Sequence, residues 1–390
     1  MAVTLSERAF DNYSRVILPY WENLIDREHG GFYGLVDYDL SLDKQAPKGV
    51  ILNSRILWFF SNAYLTYGDE ECLIYAKHAY EFLRDRCVDR EVGGVYWMMN
   101  YDGSVNDDIK HTYNQAFAVY ALASYYDASG DCEALELAFE IFELIEEVCG
   151  MEDGTYLEAF SRDFRPIDNE QLSENGVLAD RTMNTELHLL EAYTELYRVS
   201  NDEMVEEKLR KILDVFREKI YSPEKNQLEV FFDKDMNSLI DLDSYGHDIE
   251  ATWLLSRACE VLGESALLHQ NLDYILKIAD HVYRKGYDRN SLENECERGV
   301  TDSTRVWWVQ AEAVVGFLNA YKYTSDEKYL TAAEDILRFI EDKMVDKREG
   351  SEWFWSLNPE LEPNEKPITE PWKCPYHNGR MCFEIKKRGF

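Results

Sequence analysis

The chain has 390 residues, and its 41 basic and 75 acidic side chains leave a net charge of −34. Such a field repels phosphate backbones and anionic lipid, so nucleic acid and membrane surfaces are disfavoured as partners. A hydrophobic fraction of 45%, with 14% aromatic residues, is ample for a large core and argues against a disordered chain.

Met1 to Trp21 mixes Glu7, Arg8, Asp11 and Arg15 with apolar residues, which predicts an amphipathic helix and not a secretory leader. Five later stretches are apolar around most of their circumference: Ser54 to Tyr67, Thr112 to Ala128, Thr182 to Tyr197, Asp248 to Leu262 and Trp307 to Tyr323. Helices of that kind pack on more than one side. Asp69 to Arg86, Asp131 to Val148 and Asp202 to Ile220 carry one apolar stripe and one charged face. The alternation predicts an inner ring of helices and an outer ring.

Glycine-led aromatic segments stand between the helices. Gly30 to Gly34 reads GGFYG, Gly93 to Trp97 reads GGVYW and Asp153 to Leu157 reads DGTYL, with weaker copies at Asn226 to Phe232 and Gly350 to Trp355. They suit small hairpins. Their spacing of about 60 residues divides the chain into about six helix pairs. The expected fold is all-α: an (α/α)6 barrel, a toroid of about twelve helices with short β-hairpins in the connections. No linker divides the chain, so residues 1–390 are expected to form one domain. A two-domain chain or an open solenoid is the alternative, but a solenoid needs polar capping repeats that are not evident.

The eight cysteines form no C-x-x-C pair, and no zinc spacing, P-loop or G-x-G-x-x-G is present. Reduced thiols point to the cytoplasm. No metal and no cofactor are expected.

Histidine is the natural acid or base near neutral pH, and three of the eight stand in unusual contexts. His188 lies within a buried-type helix with Asn184 one turn before it; alone, it suits a hydrogen-bonded core histidine better than a catalyst. His247 opens another such helix, with Glu250 and Trp253 on the same face. Glu250 is expected to orient this imidazole, although a cap arrangement at the helix N-terminus reads equally well. His377 falls in Trp372-Lys373-Cys374-Pro375-Tyr376-His377-Asn378-Gly379-Arg380, whose Pro, Gly and polar residues predict a ligand-binding loop. Arg55 opens a strongly apolar helix and needs either a buried carboxylate or an oxyanion in a cleft. Trp308 and Glu312 share a face of a further buried-type helix.

Six segments then carry a family resemblance in chain order: KGVILNSRILWFF (Lys48 to Phe60), KHTYNQAFAVYA (Lys110 to Ala121), SENG (Ser173 to Gly176), SYGHDIEATWL (Ser244 to Leu254), RVWWVQAEAVVGF (Arg305 to Phe317) and WKCPYHNGRMC (Trp372 to Cys382). With them the chain resembles the acylglucosamine 2-epimerase superfamily, and the His-Asn-Gly-Arg form of the last segment is similar to its cellobiose branch. Glu28-His29 stands where members often carry Asn or Asp before the first glycines. The resemblance implies an (α/α)6 barrel that inverts C2 of the reducing-end glucose of a β-1,4-linked disaccharide through a cis-enediol. It implies catalytic roles for Arg55, His188, His247, Glu250 and His377, and sugar contacts for Tyr113, Asn184, Trp253, Trp308 and Trp372. A small disaccharide is the expected partner and a monomer the expected state. The rival readings are an acylglucosamine epimerase or aldose–ketose isomerase, a glycoside hydrolase using two carboxylates, and a non-enzymatic scaffold.

Overall fold

The structure, a computed structural model, describes residues 3–172 and 175–390. Ser173 and Glu174 of the SENG segment lie outside the described residues. The helices in chain order are α1 (Leu5–Asn12), α2 (Leu18–Glu22), α3 (Val50–Tyr67), α4 (Glu70–Phe82), α5 (Thr112–Ser129), α6 (Cys132–Leu144) and α7 (Met183–Ser200). They continue with α8 (Glu203–Val215), α9 (Tyr245–Val261), α10 (Ser265–Lys285), α11 (Trp307–Thr324), α12 (Glu327–Phe339) and α13 (Tyr376–Arg388).

α3, α5, α7, α9, α11 and α13 each pack on the next, and α13 packs back on α3, which closes an inner ring. α4, α6, α8, α10, α12 and α1 back one inner helix each from outside. This is the (α/α)6 barrel. Inner helices such as α5 are buried nearly throughout, whereas α8 buries only Val205, Leu209, Ile212, Leu213 and Val215, an i, i+4, i+7 stripe.

The joints are local and repeated. Gly68, Gly130, Asn201 and Ser325 end α3, α5, α7 and α11 in the left-handed region, and the next residue is always an aspartate. Asp69, Asp131, Asp202 and Asp326 then cap the following outer helix through a backbone N–H two residues on. Gly68 and Gly130, at φ near 74° and 72°, adopt this turn at no steric cost.

Short strands stitch neighbouring units together. Lys48–Gly49, which leads into α3, pairs with Met98–Met99 of the following hairpin. The same step recurs at Lys110–His111 with Ala159–Phe160, Arg181–Thr182 with Phe231–Phe232, and Arg305–Val306 with Ser356–Leu357. Thr369, before α13, bridges back to Val36 of the first hairpin, so the stitching also closes the circle.

A second repeat became visible only with the ring in place. Lys48, Lys110, Arg181, Asp243, Arg305 and Lys373 each stand five residues before Asn53, Gln115, Glu186, Asp248, Gln310 and Asn378. The leading residue is basic in all but one unit and reaches an acid at the preceding glycine turn, as Lys48 Nζ reaches Asp26 Oδ2 at 2.6 Å. The trailing residue ties the turn to the inner helix: Asn53, Gln115, Glu186, Asp248 and Gln310 each accept from a backbone N–H there, at 2.7–3.0 Å. At the exception, Asp243, the partner is His281 at 2.6 Å.

One sequence expectation is corrected. The His377 segment is not a loop: Tyr376–Arg388 is helix α13, with Pro375 at its N-cap. Gly379 reads as a loop residue, yet it sits inside the helix because a Cβ there would lie 2.5 Å from Cδ2 of Phe59. Close packing of α13 on α3 requires a small residue, and that requirement looks like a turn signal in one dimension.

Candidate active site

Two residues beyond the repeated amide or acid, the same helical position carries Arg55, Phe117, His188, Glu250, Glu312 and Arg380. These form one layer across the ring. The Arg55 guanidinium lies over the Phe117 ring at 4.2 Å, and Phe117 meets His188 at 4.7 Å. Arg380 bonds both Glu250 and Glu312. Above the layer opens a cavity of about 660 Å³. Arg55, Tyr113, Asn184, His188, His247, Glu250, Trp308, Trp372 and His377 all line it.

Each of the three histidines has its Nδ1 engaged. His188 Nδ1 lies 3.0 Å from Glu191 Oε2, and His377 Nδ1 lies 2.7 Å from Glu312 Oε1. A carboxylate at Nδ1 fixes the proton there and leaves Nε2 as the basic nitrogen. Burial lowers the His188 pKa to about 4 despite Glu191. Burial, then Arg380 and Arg55, likewise hold His377 well below its ordinary value. Both imidazoles are therefore neutral bases near pH 7.

His247 differs from expectation. Its Nδ1 lies 2.8 Å from Ser244 Oγ, and no carboxylate among the described residues touches it. Glu250, one turn further along α9, turns to Arg380 and lies 3.9 Å from His377 Nδ1. The buried guanidinium competes successfully for this acid. Burial and the charge of His188 depress the His247 pKa to about 3. Its ring lies 4.8 Å from that of Trp308.

Arg55 donates from Nη2 to Tyr113 Oη at 2.7 Å and from Nη1 to the Trp372 carbonyl at 3.5 Å. Among the described residues it has no carboxylate partner. Of the two options the sequence left for it, the geometry matches an oxyanion in the cleft. Asn184 is half-buried, and its Oδ1 has no partner among the described residues. Trp308 and Trp372 are half-buried, and both line the cavity.

Trp253 is corrected. It lies one turn below Glu250, outside the cavity lining, and is only 2% exposed. Its Nε1 donates to Glu312 Oε2 at 2.9 Å, and its ring carries the Arg380 guanidinium at 4.8 Å. It supports the layer from beneath.

Sequence reading missed Glu191, Ser244, Tyr376 and Arg380, and saw Glu312 only as a neighbour of Trp308. Arg380 is 1% exposed and bonds Glu191, Glu250, Glu312 and the Tyr376 hydroxyl. The Tyr376 hydroxyl also donates to Glu191. The available signal was the helical repeat: Arg380 is four residues from Tyr376 and three from His377, all on one face of α13. Ligand atoms of Glu250, Glu312 and His377 converge within 4.8 Å, a grouping able to hold a cation. The Arg380 guanidinium already supplies a positive charge to both carboxyls.

The model of the N-acylglucosamine 2-epimerase (GlcNAc 2-epimerase) family matches residues 30–379. The chain belongs to this family. A cellobiose 2-epimerase of Ruminococcus albus is 54% identical over 374 residues, which covers 96% of each chain. The crystal structure of a sugar epimerase from a ruminal bacterium is 52% identical, with a TM-score of 0.98 over 99% of this chain and 100% of that one. The cellobiose 2-epimerase of Bacillus thermoamylovorans is 47% identical, with a TM-score of 0.95 over 98% of this chain and 99% of that one.

Proposed function

We propose that this protein is a cellobiose 2-epimerase, an isomerase that interconverts the reducing-end glucose and mannose units of β-1,4-linked disaccharides. Cellobiose becomes glucosyl-mannose, and lactose becomes epilactose. The observation that carries the reading is the placement of two carboxylate-backed histidines across one cavity. His188 rises from α7 and His377 from α13, which are opposite one another in the ring of six.

C2 adjoins the aldehyde once the ring is open, so its proton is acidic and can leave and return without redox chemistry. Inversion requires the proton to return from the other face. A neutral imidazole on one side takes it, and the imidazolium so formed is held by Glu191 or Glu312. The opposite histidine, whose Nε2 first takes a proton from solvent, returns it to the other face of the cis-enediol, and the imidazolium then gives its own proton back to solvent. Arg55 stabilises the oxyanion that develops at O1, a contribution of about 3 kcal/mol by comparison with other oxyanion donors. Tyr113, through Arg55, and Asn184 position hydroxyls. His247 and Glu250 open and reclose the pyranose. Trp308 and Trp372 offer faces on which sugar C–H groups stack.

Among the described residues, no helix is long and apolar enough to cross a membrane. The free state of all eight cysteines supports a cytoplasmic protein, which we read as a monomer with one catalytic domain over residues 1–390.

The test is product analysis by NMR after incubation with cellobiose in heavy water. The expected product is glucosyl-mannose carrying deuterium at C2. Free glucose would mean a hydrolase, a ketose disaccharide an isomerase, and epimer without deuterium a hydride transfer.

A further inference from the structure

Three carboxyls meet one cation at the floor of the cavity. Glu191, Glu250 and Glu312 all bond the guanidinium of Arg380, and none is more than 4% exposed. Among the described residues of the layer, Arg55 is the one other guanidinium. Two cations against three carboxyls leave one uncompensated buried charge, unless one carboxyl keeps its proton.

The hydrogen bonds indicate which. Glu191 accepts from His188, Tyr376 and Arg380, so both its oxygens are used. Glu312 accepts from His377 and Arg380 on Oε1 and from Trp253 on Oε2. Glu250 accepts from Arg380 on Oε1 alone, and its buried Oε2 has no partner among the described residues. A bare carboxylate oxygen is costly there, whereas an O–H on a cavity-lining residue has a sugar oxygen to meet.

We propose that Glu250 rests as the neutral carboxylic acid and is the proton donor to the ring oxygen O5 in ring opening, with His247 as the base for the O1 hydroxyl. This rests on the epimerase reading above. The C1–O5 bond breaks, its electron pair stays on O5, and O5 takes the proton from Glu250 Oε2. The O1–H proton passes to His247 Nε2 while Nδ1–H stays in place, hydrogen-bonded to Ser244 Oγ, and the freed pair becomes the C1=O bond. The sugar remains neutral. Glu250 ends as a carboxylate against Arg380, and His247 as an imidazolium three residues away on α9. Ring closure reverses both transfers. Because Ser244 holds Nδ1, only Nε2 of His247 is left for the sugar, and this one nitrogen could not take one proton and supply another in the same step.

Burial, then the charge of Glu312, push the Glu250 pKa up to about 8 even with Arg380 alongside. Burial also opposes the charge of Glu191, but Arg380 and His188 outweigh it and bring that pKa down to about 2. The groups around Glu250 are His247 on its own helix, His188 and Glu191 from α7, and Glu312 from α11. Tyr376, His377 and Arg380 approach from α13, Arg55 from α3 and Tyr113 from α5.

Infrared difference spectroscopy on the whole protein at neutral pH tests the protonation state. Wild type minus Glu250→Gln should show a protonated-carboxyl C=O band, because other buried acids such as Glu186 and Asp248 cancel. Wild type minus Glu191→Gln should show the same band, since removing one carboxylate lets Glu250 ionise in the variant; this variant serves if E250Q fails to fold. A carboxylate band in place of the C=O band overturns the proposal. Exchange NMR on the anomers of cellobiose then tests the donor role. Wild type should accelerate anomer interconversion, and E250Q should lose about 100-fold or more of it. Retained exchange in E250Q, or no acceleration by wild type, sinks the donor role. If wild type makes no glucosyl-mannose, the epimerase reading fails, while the infrared result still decides the state of Glu250.

Discussion

Replacing Glu312 by glutamine separates the charge behind His377 from the shape that holds it. Oε1 of Glu312 accepts from His377 Nδ1 and Arg380 Nη2, both at 2.7 Å, and Oε2 accepts from Trp253 Nε1 at 2.9 Å. All three partners are donors, and a glutamine has only one acceptor atom. With its carbonyl toward His377 and Arg380, its amide N–H faces the Trp253 N–H, and one buried hydrogen bond is lost at about 1–3 kcal/mol of stability. The imidazolium formed when His377 takes a proton then lies against a neutral amide. A hydrogen bond to a charged group contributes about 1.5–3 kcal/mol, and each ~1.4 kcal/mol is tenfold in rate, so kcat for cellobiose should fall about 10- to 100-fold. KM should change little, because Glu312 lies under the cavity and not in its lining. The assay is initial-rate epimerisation, with circular dichroism to show that the fold persists. A folded E312Q variant with kcat within about threefold of wild type would refute the idea that this carboxylate supports the base.

Further outcomes follow from the same geometry. His188→Ala and His377→Ala should each remove nearly all epimerisation while far-UV circular dichroism stays unchanged; near-wild-type turnover in either would sink the two-base scheme. Burial holds His188 near 4, below its ordinary 6.5, so protonation is the disfavoured event and the base form survives as pH falls. The acid limb of kcat/KM should accordingly lie below about pH 5, and a limb centred on 6.5 would contradict the burial argument. Gly379→Ala should cost about 1–3 kcal/mol in denaturant unfolding, because its Cβ would meet Phe59, and should lower activity by shifting His377. Adding Phe59→Leu should recover part of both losses; an unperturbed G379A would show that α13 and α3 are not in tight contact there.

Much of this was legible in one dimension, for a local reason. A helix apolar all round must be packed on all sides, and a charged outer face must meet water. The five inner stretches and three outer ones therefore announced a double ring before any coordinates. Aspartate after a left-handed residue is a local cap, so the starts of α4, α6 and α8 fell within a residue of expectation. His188, His247 and His377 stood out because histidine is rare in this chain and each had a peculiar setting. α13 was misread because Gly379 and Pro375 carry the same signature in a turn as in a tightly packed helix start, and only Phe59, more than three hundred residues away, distinguishes them.

Partner choice could not be read in the same way. Sequence spacing put Glu250 on the face of His247, and that much follows from 3.6 residues per turn. Which of two neighbours a carboxylate bonds depends on what other chain segments bring to it. Here α13 delivers Arg380, so Glu250 leaves His247 to Ser244 and joins Glu191 and Glu312 around one guanidinium. Trp253 passed from supposed sugar platform to support for the same reason: one turn of α9 separates the cavity from the layer beneath it. The chain by itself determined the acidic, aromatic-rich ring of six helix pairs and most of the residues facing its centre, because periodicity and capping act over a few residues. Closing the ring decided the pairings, because the buried charges there balance only across helices far apart in sequence.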